Sequence, residues 1–228
     1  NHRRNLLFAH WVARDLEDDP VDGVVGFNKM PGLDVYYAAD SCYRYKAEHE
    51  RGWLYRQMPR YRQLAAAESA VFDAAASTHV LLISNSEKAK FLHYYQTPPE
   101  RLHMLPPGID PGLRLDGDRA EHAQALRAQF GLVADARVLL FVGSGFIKKG
   151  LDRAIRTLCS LRDSGTPATL LIAGQDRSKR FELLASRLGV AEHCLFLGGR
   201  DDIPALLAGA DLLIHPALDE AAGIVLQI

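Results

Sequence analysis

Phe141–Gly150 reads FVGSGFIKKG: the end of an apolar run, a turn of small residues, and two adjacent lysines, Lys148 and Lys149, directly ahead of a helical pattern. A strand, a glycine turn and a helix in that order form the repeating unit of a parallel α/β sheet, because each element has one face to bury against the other. The same order builds a cradle for a diphosphate. Helix N-termini present unpaired N–H groups and partial positive charge, and Gly143 and Gly145 let the backbone approach phosphate oxygens. Ser144 contributes a hydroxyl and the lysines contribute full charges. Two familiar phosphate motifs do not fit. A Walker A lysine precedes Ser or Thr, whereas Lys149 precedes Gly150, and a dinucleotide fingerprint needs a third glycine where Lys148 stands. A glycine turn with solvated lysines is the alternative reading of the same residues.

Working outward, short runs rich in Val, Ile and Leu alternate with longer amphipathic segments, as expected of parallel strands covered by helices on both faces. Strands are predicted at Gly23–Phe27, Val35–Ala39, His79–Ser84, Arg101–Leu105, Arg137–Gly143, Thr169–Gly174, Cys194–Leu197 and Leu212–His215. Helices are predicted at Asn5–Glu17, Tyr61–Ala75, Glu87–Tyr95, Arg119–Phe130, Leu151–Asp163, Arg177–Leu188 and Ile203–Ala208. The stretch LPPGIDPGLRLDGD, Leu105–Asp118, interrupts the pattern with prolines and glycines and divides two α/β domains, 1–108 and 109–228. Ligands of such sheets gather beyond the carboxyl ends of the strands, so the loops that follow strands are the ones to watch.

Composition narrows the classes. With 228 residues and 48% hydrophobic content the chain can bury a substantial core, and a formal charge of -1 argues against a wholly basic nucleic-acid binder. Cys42, Cys159 and Cys194 lie far apart without a CxxC pair, which suits a reducing compartment and offers neither a zinc site nor a disulfide framework. No apolar run reaches the roughly 18 residues of a membrane span, and cytoplasm is the default location. The acidic group Asp15, Glu17, Asp18 and Asp19 precedes Pro20 and reads as a solvated helix end, so no metal site is expected.

Several stretches in order, VVGFNKMPGLDVYYAADSCY, LYRQMPRYRQLAAAESAVF, HYYQTPPERLHMLPPGI, the KKG cradle, AGQD, and FLGGRDDIPALLAGADLLIHPALDEAAGIVL, resemble the family 4 retaining glycosyltransferases. Within them the similarity is to the enzymes that glucosylate the inner-core heptose of bacterial lipopolysaccharide, and it runs through essentially the whole chain. The resemblance implies the α/β GT-B architecture, two Rossmann-like doubly wound domains facing a cleft, both incomplete here. It implies UDP-glucose as donor, lipopolysaccharide inner core as acceptor, no cofactor and no metal. Transfer of another nucleotide sugar or to another acceptor, and an inactive nucleotide- or membrane-binding fragment, are the alternatives.

On the residues, the resemblance implies that Lys149, with Lys148 beside it, holds the diphosphate, and that Glu220 is the first glutamate of the family's E-x7-E motif, oriented at the donor sugar. Ala221, Ala222, Gly223 and Ile224 would open the helix that faces sugar and phosphate, and Arg200 would border the base. The second glutamate would fall at position 228, which is Ile228, and Gln227 stands where leucine is expected. The family's first strand and the elements beyond that helix are likewise not found, which implies a chain shortened at both ends: a hexosyltransferase parent, with the fragment itself not expected to turn over substrate. Asp40 matches a cleft aspartate; it would steady charge at the anomeric carbon or orient the acceptor, with a helix cap or turn as the other reading. Asn28 and Lys29 would face the acceptor, His215 would line the cleft or end a buried strand, and Asp201 and Asp202 read as cap and first turn of the helix at Ile203.

Tyr43–Arg62 carries Arg44, Lys46, Arg51, Arg56, Arg60 and Arg62 against Glu48 and Glu50, a net +4 on a nearly neutral chain. Tyr43, Tyr45, Trp53, Tyr55 and Tyr61 are interleaved with them. That combination suits an anionic lipid surface, the inner face of the bacterial inner membrane; a solvated basic face is the alternative.

Overall fold

The computed structural model describes residues 2–106, 108 and 117–218. The chain divides into two compact units, Asn1–Gly108 and Ile109–Ile228, at the proline- and glycine-rich stretch.

Unit 1 contains α1 (His2–Asp18), β1 (Val25–Gly26), β2 (Val35–Ala38), α2 (Tyr43–His49), α3 (Pro59–Phe72), β3 (His79–Leu82), α4 (Asn85–Tyr95) and β4 (Leu102–Met104), with a 3-10 turn at Trp53–Gln57. Its sheet is parallel, in the order β1-β2-β3-β4. Alternate residues Tyr36, Ala38, Val80 and Leu82 point into one core with Val71 and Phe72 of α3 and Phe91 and Tyr95 of α4, and Ala9 and Val12 of α1 pack against the same cluster. The rings of Phe72 and Phe91 stack with centroids 3.7 Å apart. The other faces of β2 and β3 are less buried: Val35, Tyr37 and Leu81 are half-buried and His79 is exposed. The end of α3 is held by Arg101, a buried side chain whose guanidinium donates to the carbonyls of Val71, Phe72, Asp73 and Thr78. Those are carbonyls that a helix terminus or turn leaves without intrahelical partners.

Unit 2 contains α5 (Arg119–Phe130), β5 (Arg137–Val142), α6 (Phe146–Lys149), α7 (Leu151–Asp163), β6 (Ala168–Ala173), α8 (Lys179–Arg187), β7 (Cys194–Gly198), α9 (Ile203–Gly209) and β8 (Leu212–Leu213). The sheet is parallel, in the order β7-β6-β5-β8. Every residue of β6 is buried, as continuous apolar runs in central parallel strands require. Leu139, Phe141, Leu170 and Ile172 pack one face against α7 and α8, while Val138, Leu140 and Leu171 pack the other against Leu126 of α5 and Leu206 of α9. This is a doubly wound, Rossmann-like unit.

Each predicted strand and helix has a counterpart, with ends shifted by a few residues. The structure adds α2 and α6, which the sequence pattern left in loops.

Candidate functional site

In unit 2 the sheet changes direction at β5: the next strand, β6, lies on one side and β8 on the other. A crevice forms at such a switch point, outside the carboxyl ends of the strands. The loops that flank it follow β5 and β8, and they are the KKG cradle and the segment leading toward Glu220.

The cradle is a single helical turn between two left-handed glycines, Gly145 (φ 76°) and Gly150 (φ 77°). Phe146 is buried against Phe141 and Phe181 and pins that turn to the core. Lys148 is exposed and Lys149 half-buried. The stem of Lys149 runs beside Gly143, where a Cβ would lie 3.5 Å from the lysine Cγ. Ser144 Oγ accepts from the Gln175 amide at 3.1 Å. Asp176 Oδ2 accepts from the Phe146 amide at 2.8 Å, and bonds from the Arg177 and Phe146 amides hold this carboxyl below its ordinary range. The Phe146 amide is therefore occupied by the protein's own carboxylate, which corrects the expectation of unpaired amides at that end of the cradle.

The cradle is stitched to the segment after β8. The Leu218 amide donates to the Lys148 carbonyl at 2.8 Å, and Arg153 Nε and Nη2 both donate to the Pro216 carbonyl. Gly150 makes this possible, since a Cβ there would overlap the Pro216 oxygen. Glu220, Ala221, Ala222, Gly223 and Ile224, with Gln227 and Ile228, lie outside the described residues. Arg200 Nε and Nη2 fork onto the Asp202 carboxylate at 2.8 and 2.5 Å, which lowers the Asp202 carboxyl and raises the arginine. Asp202 is the N-cap residue of α9 but makes no side-chain capping bond, contrary to the simple helix-cap reading.

In unit 1 the loops after β1 and β2 and helices α1 and α3 enclose a cavity of about 960 Å³, whose lining includes Asn28, Lys29, Asp40, Ser41, Tyr43 and Gln63. The structure thus brings the three acceptor-side candidates, Asn28, Lys29 and Asp40, to one cavity. Asn28 and Asp40 are exposed. Lys29 is instead drawn inward: its ammonium donates to the Ser41 carbonyl at 3.1 Å and pairs with buried Glu68 at 2.5 Å.

Of the basic and aromatic stretch, Arg44, Arg51, Arg56, Arg60, Arg62 and Trp53 are exposed, with Lys46 and Tyr55 half-buried. Arg44 and Arg56 both approach Glu48, at 3.9 and 3.7 Å, and Arg51 lies over the Tyr55 ring. The 3-10 turn also projects Leu54, exposed alongside Trp53 and Met58 and not singled out by sequence. No helix among the described residues is long and apolar enough to cross a membrane.

The parallel sheet with a basic glycine turn at its switch point is a doubly wound α/β unit, and the comparisons with known proteins agree on that fold. Residues 123–227 match the family of glycosyl transferases group 1. More particularly, the chain is 47% identical over 227 residues to lipopolysaccharide glucosyltransferase WaaG of Escherichia coli (strain K12). That match takes in 99% of this chain and 61% of the relative, so the chain spans about three fifths of that protein's length. A crystal structure of WaaG, a glycosyltransferase involved in lipopolysaccharide biosynthesis, superposes with a TM-score of 0.87 at 46% identity, over 99% of this chain and 61% of that one. Anabaena Alr3699/HepE in complex with UDP-glucose shares the fold, with a TM-score of 0.63 at 22% identity over 82% of this chain and 47% of its own.

Proposed function

We propose that the protein is a retaining glycosyltransferase that moves glucose from UDP-glucose to the inner-core heptose of lipopolysaccharide. The observation that carries this reading is the Lys148–Lys149 turn at the switch point of unit 2, bonded to the segment that leads to Glu220, in a chain 47% identical to a lipopolysaccharide glucosyltransferase. Lys149, with Lys148, would neutralise the diphosphate as it leaves, supplying without a metal the positive charge that phosphate departure needs. Glu220 would orient the donor sugar by accepting bonds from its hydroxyls. Asp40 would act at the acceptor or at the charge developing on the anomeric carbon. The exposed Arg51, Trp53, Leu54 and Arg56 would rest on an anionic leaflet, the inner face of the bacterial inner membrane, where the lipid-linked acceptor resides.

The test is calorimetric titration of the chain with UDP and UDP-glucose, beside Lys149→Ala. Saturable binding that disappears in the variant supports the donor site and leads to a transfer assay with deacylated inner-core oligosaccharide. A folded chain that binds neither ligand removes the donor assignment.

A further inference from the structure

The two loops that line the unit 1 cavity are joined by one carboxylate. Glu68, on α3, is fully buried. Its Oε1 accepts from Lys29 Nζ at 2.5 Å and from the Tyr43 amide at 2.8 Å; its Oε2 accepts from the Arg44 amide at 2.9 Å and the Tyr95 hydroxyl at 2.6 Å, with the Cys42 thiol at 3.9 Å. Lys29 belongs to the loop after β1, and its second bond goes to Ser41 in the loop after β2. Helix α2 has no side-chain cap of its own. Its start is served from elsewhere: Glu68 takes the amides of Tyr43 and Arg44, and buried Glu87, paired with Lys90, takes the amide of Cys42 at 2.8 Å. A negative charge at a helix start is favourable, and amides left bare there would be costly.

A buried ion pair is a weak source of stability, because desolvation offsets attraction. Five donors converging on one carboxylate do, however, fix their positions relative to one another. We propose that Glu68 is a positioning residue of the acceptor site: it sets Asn28 and Asp40 in register, the first through Lys29 and the second through the start of α2. Glu68 itself touches no substrate. The proposal rests on the transferase reading above, since it assigns a purpose to the same cavity.

Two variants of the chain separate geometry from stability. Glu68→Gln turns an amide group toward N–H donors. The double substitution Lys29→Met with Glu68→Leu removes both charges, so that no uncompensated lysine stays buried, but it supplies no partner for Ser41 or for the α2 amides. In transfer from UDP-glucose to deacylated inner-core oligosaccharide, Glu68→Gln is expected to lower kcat about 100-fold, as misplacement of reacting groups does, with the KM for UDP-glucose unchanged. The double variant should melt at or above Glu68→Gln and transfer as poorly. Transfer near the wild-type rate by the double variant would overturn the proposal. Should this chain, which spans about three fifths of its relative, transfer to no acceptor, amide exchange decides the role of Glu68. Lost protection at Tyr43 and Arg44 in Glu68→Gln, with Val80 and Leu82 still protected, supports it; unchanged protection at Tyr43 and Arg44 rejects it.

Discussion

Replacing Arg101 with Met should destabilise unit 1 without touching unit 2. The guanidinium spends four bonds on the end of α3 and the turn beyond it: to Val71 at 3.2 Å, Phe72 at 3.3 Å, Asp73 at 2.6 Å and Thr78 at 3.0 Å. Phe72 keeps a second partner, the Thr97 hydroxyl at 2.6 Å. Asp73 likewise keeps the Ala76 amide at 3.0 Å, and methionine fills similar volume but donates nothing, so the carbonyls of Val71 and Thr78 are the ones that lose their bonds. At about 1–3 kcal/mol for each of the two buried groups left unpaired, and with relief from desolvating a guanidinium working the other way, the net loss is about 2–4 kcal/mol. That is a large share of the roughly 5–15 kcal/mol by which a domain is stable. The sequence supplies a selective probe, because all tyrosines and both tryptophans precede residue 96 and so report on unit 1. Near-ultraviolet circular dichroism in urea, extrapolated linearly to water, gives the unit 1 free energy, and the far-ultraviolet signal follows both units. A loss below about 1 kcal/mol would show that water replaces the guanidinium and would refute this accounting. An equal loss in unit 2 would refute its locality.

Three further outcomes can be checked. Gly150→Ala forces a left-handed alanine, worth about 1–2 kcal/mol, and pushes a methyl into the Pro216 carbonyl; faster exchange of the Leu218 amide and weaker UDP binding should accompany a lower melting point, and an unchanged melting point would contradict the overlap. Alkali should unfold unit 1 first: burial, with Asp40 and Glu68 nearby, raises Tyr36, burial and Glu68 raise Tyr95, and Cys42 is pushed up to about 12. Acids raised in the folded state contribute stability that is whole below their unfolded values, about 8.5 for Cys and 10 for Tyr, and is lost as pH climbs toward the folded ones. Unit 2 has no tyrosine, and its buried Cys194 is pushed up to about 11, so tyrosinate absorbance at alkaline pH should jump before the far-ultraviolet signal is fully lost; a single simultaneous transition would count against it. Trp53→Glu with Leu54→Glu should cut sedimentation with anionic vesicles about tenfold or more, while equal sedimentation would leave the 3-10 turn out of membrane contact.

What the sequence disclosed and what it hid divide along the distance over which each element is built. The strands were legible because β5 and β6 are contiguous apolar runs whose burial follows from their own composition. Helix α2, YRYKAEH, was not: it buries only Ala47, and the carboxylates that serve its start come from residues about two dozen and more positions downstream. Glu68 left one local sign. It stands four residues after Leu64 and three and four before Val71 and Phe72, a charge on the stripe where α3 meets the core. Such a residue must find partners inside, and Lys29 and Tyr95 supply them. Arg153 gave no sign, because a basic residue in the first turn of α7 reads as solvated until Pro216 is seen beside it.

The donor cradle changes meaning for the same reason. From the sequence, the turn at Gly143–Gly145 should offer amides to a phosphate. In the fold, Asp176 takes the Phe146 amide, and the bonds that keep its carboxyl ionised place a negative charge at that end of α6. A diphosphate would be repelled from that position, not held there. On the proposed donor reading, attraction would come from the other end of the turn, where Lys148 and Lys149 precede Gly150 and where the Leu218 amide closes on the Lys148 carbonyl. The glycine turn works mainly as a mount: buried Phe146 anchors it, Asp176 tightens it, and the two lysines are presented beside the segment that continues to Glu220.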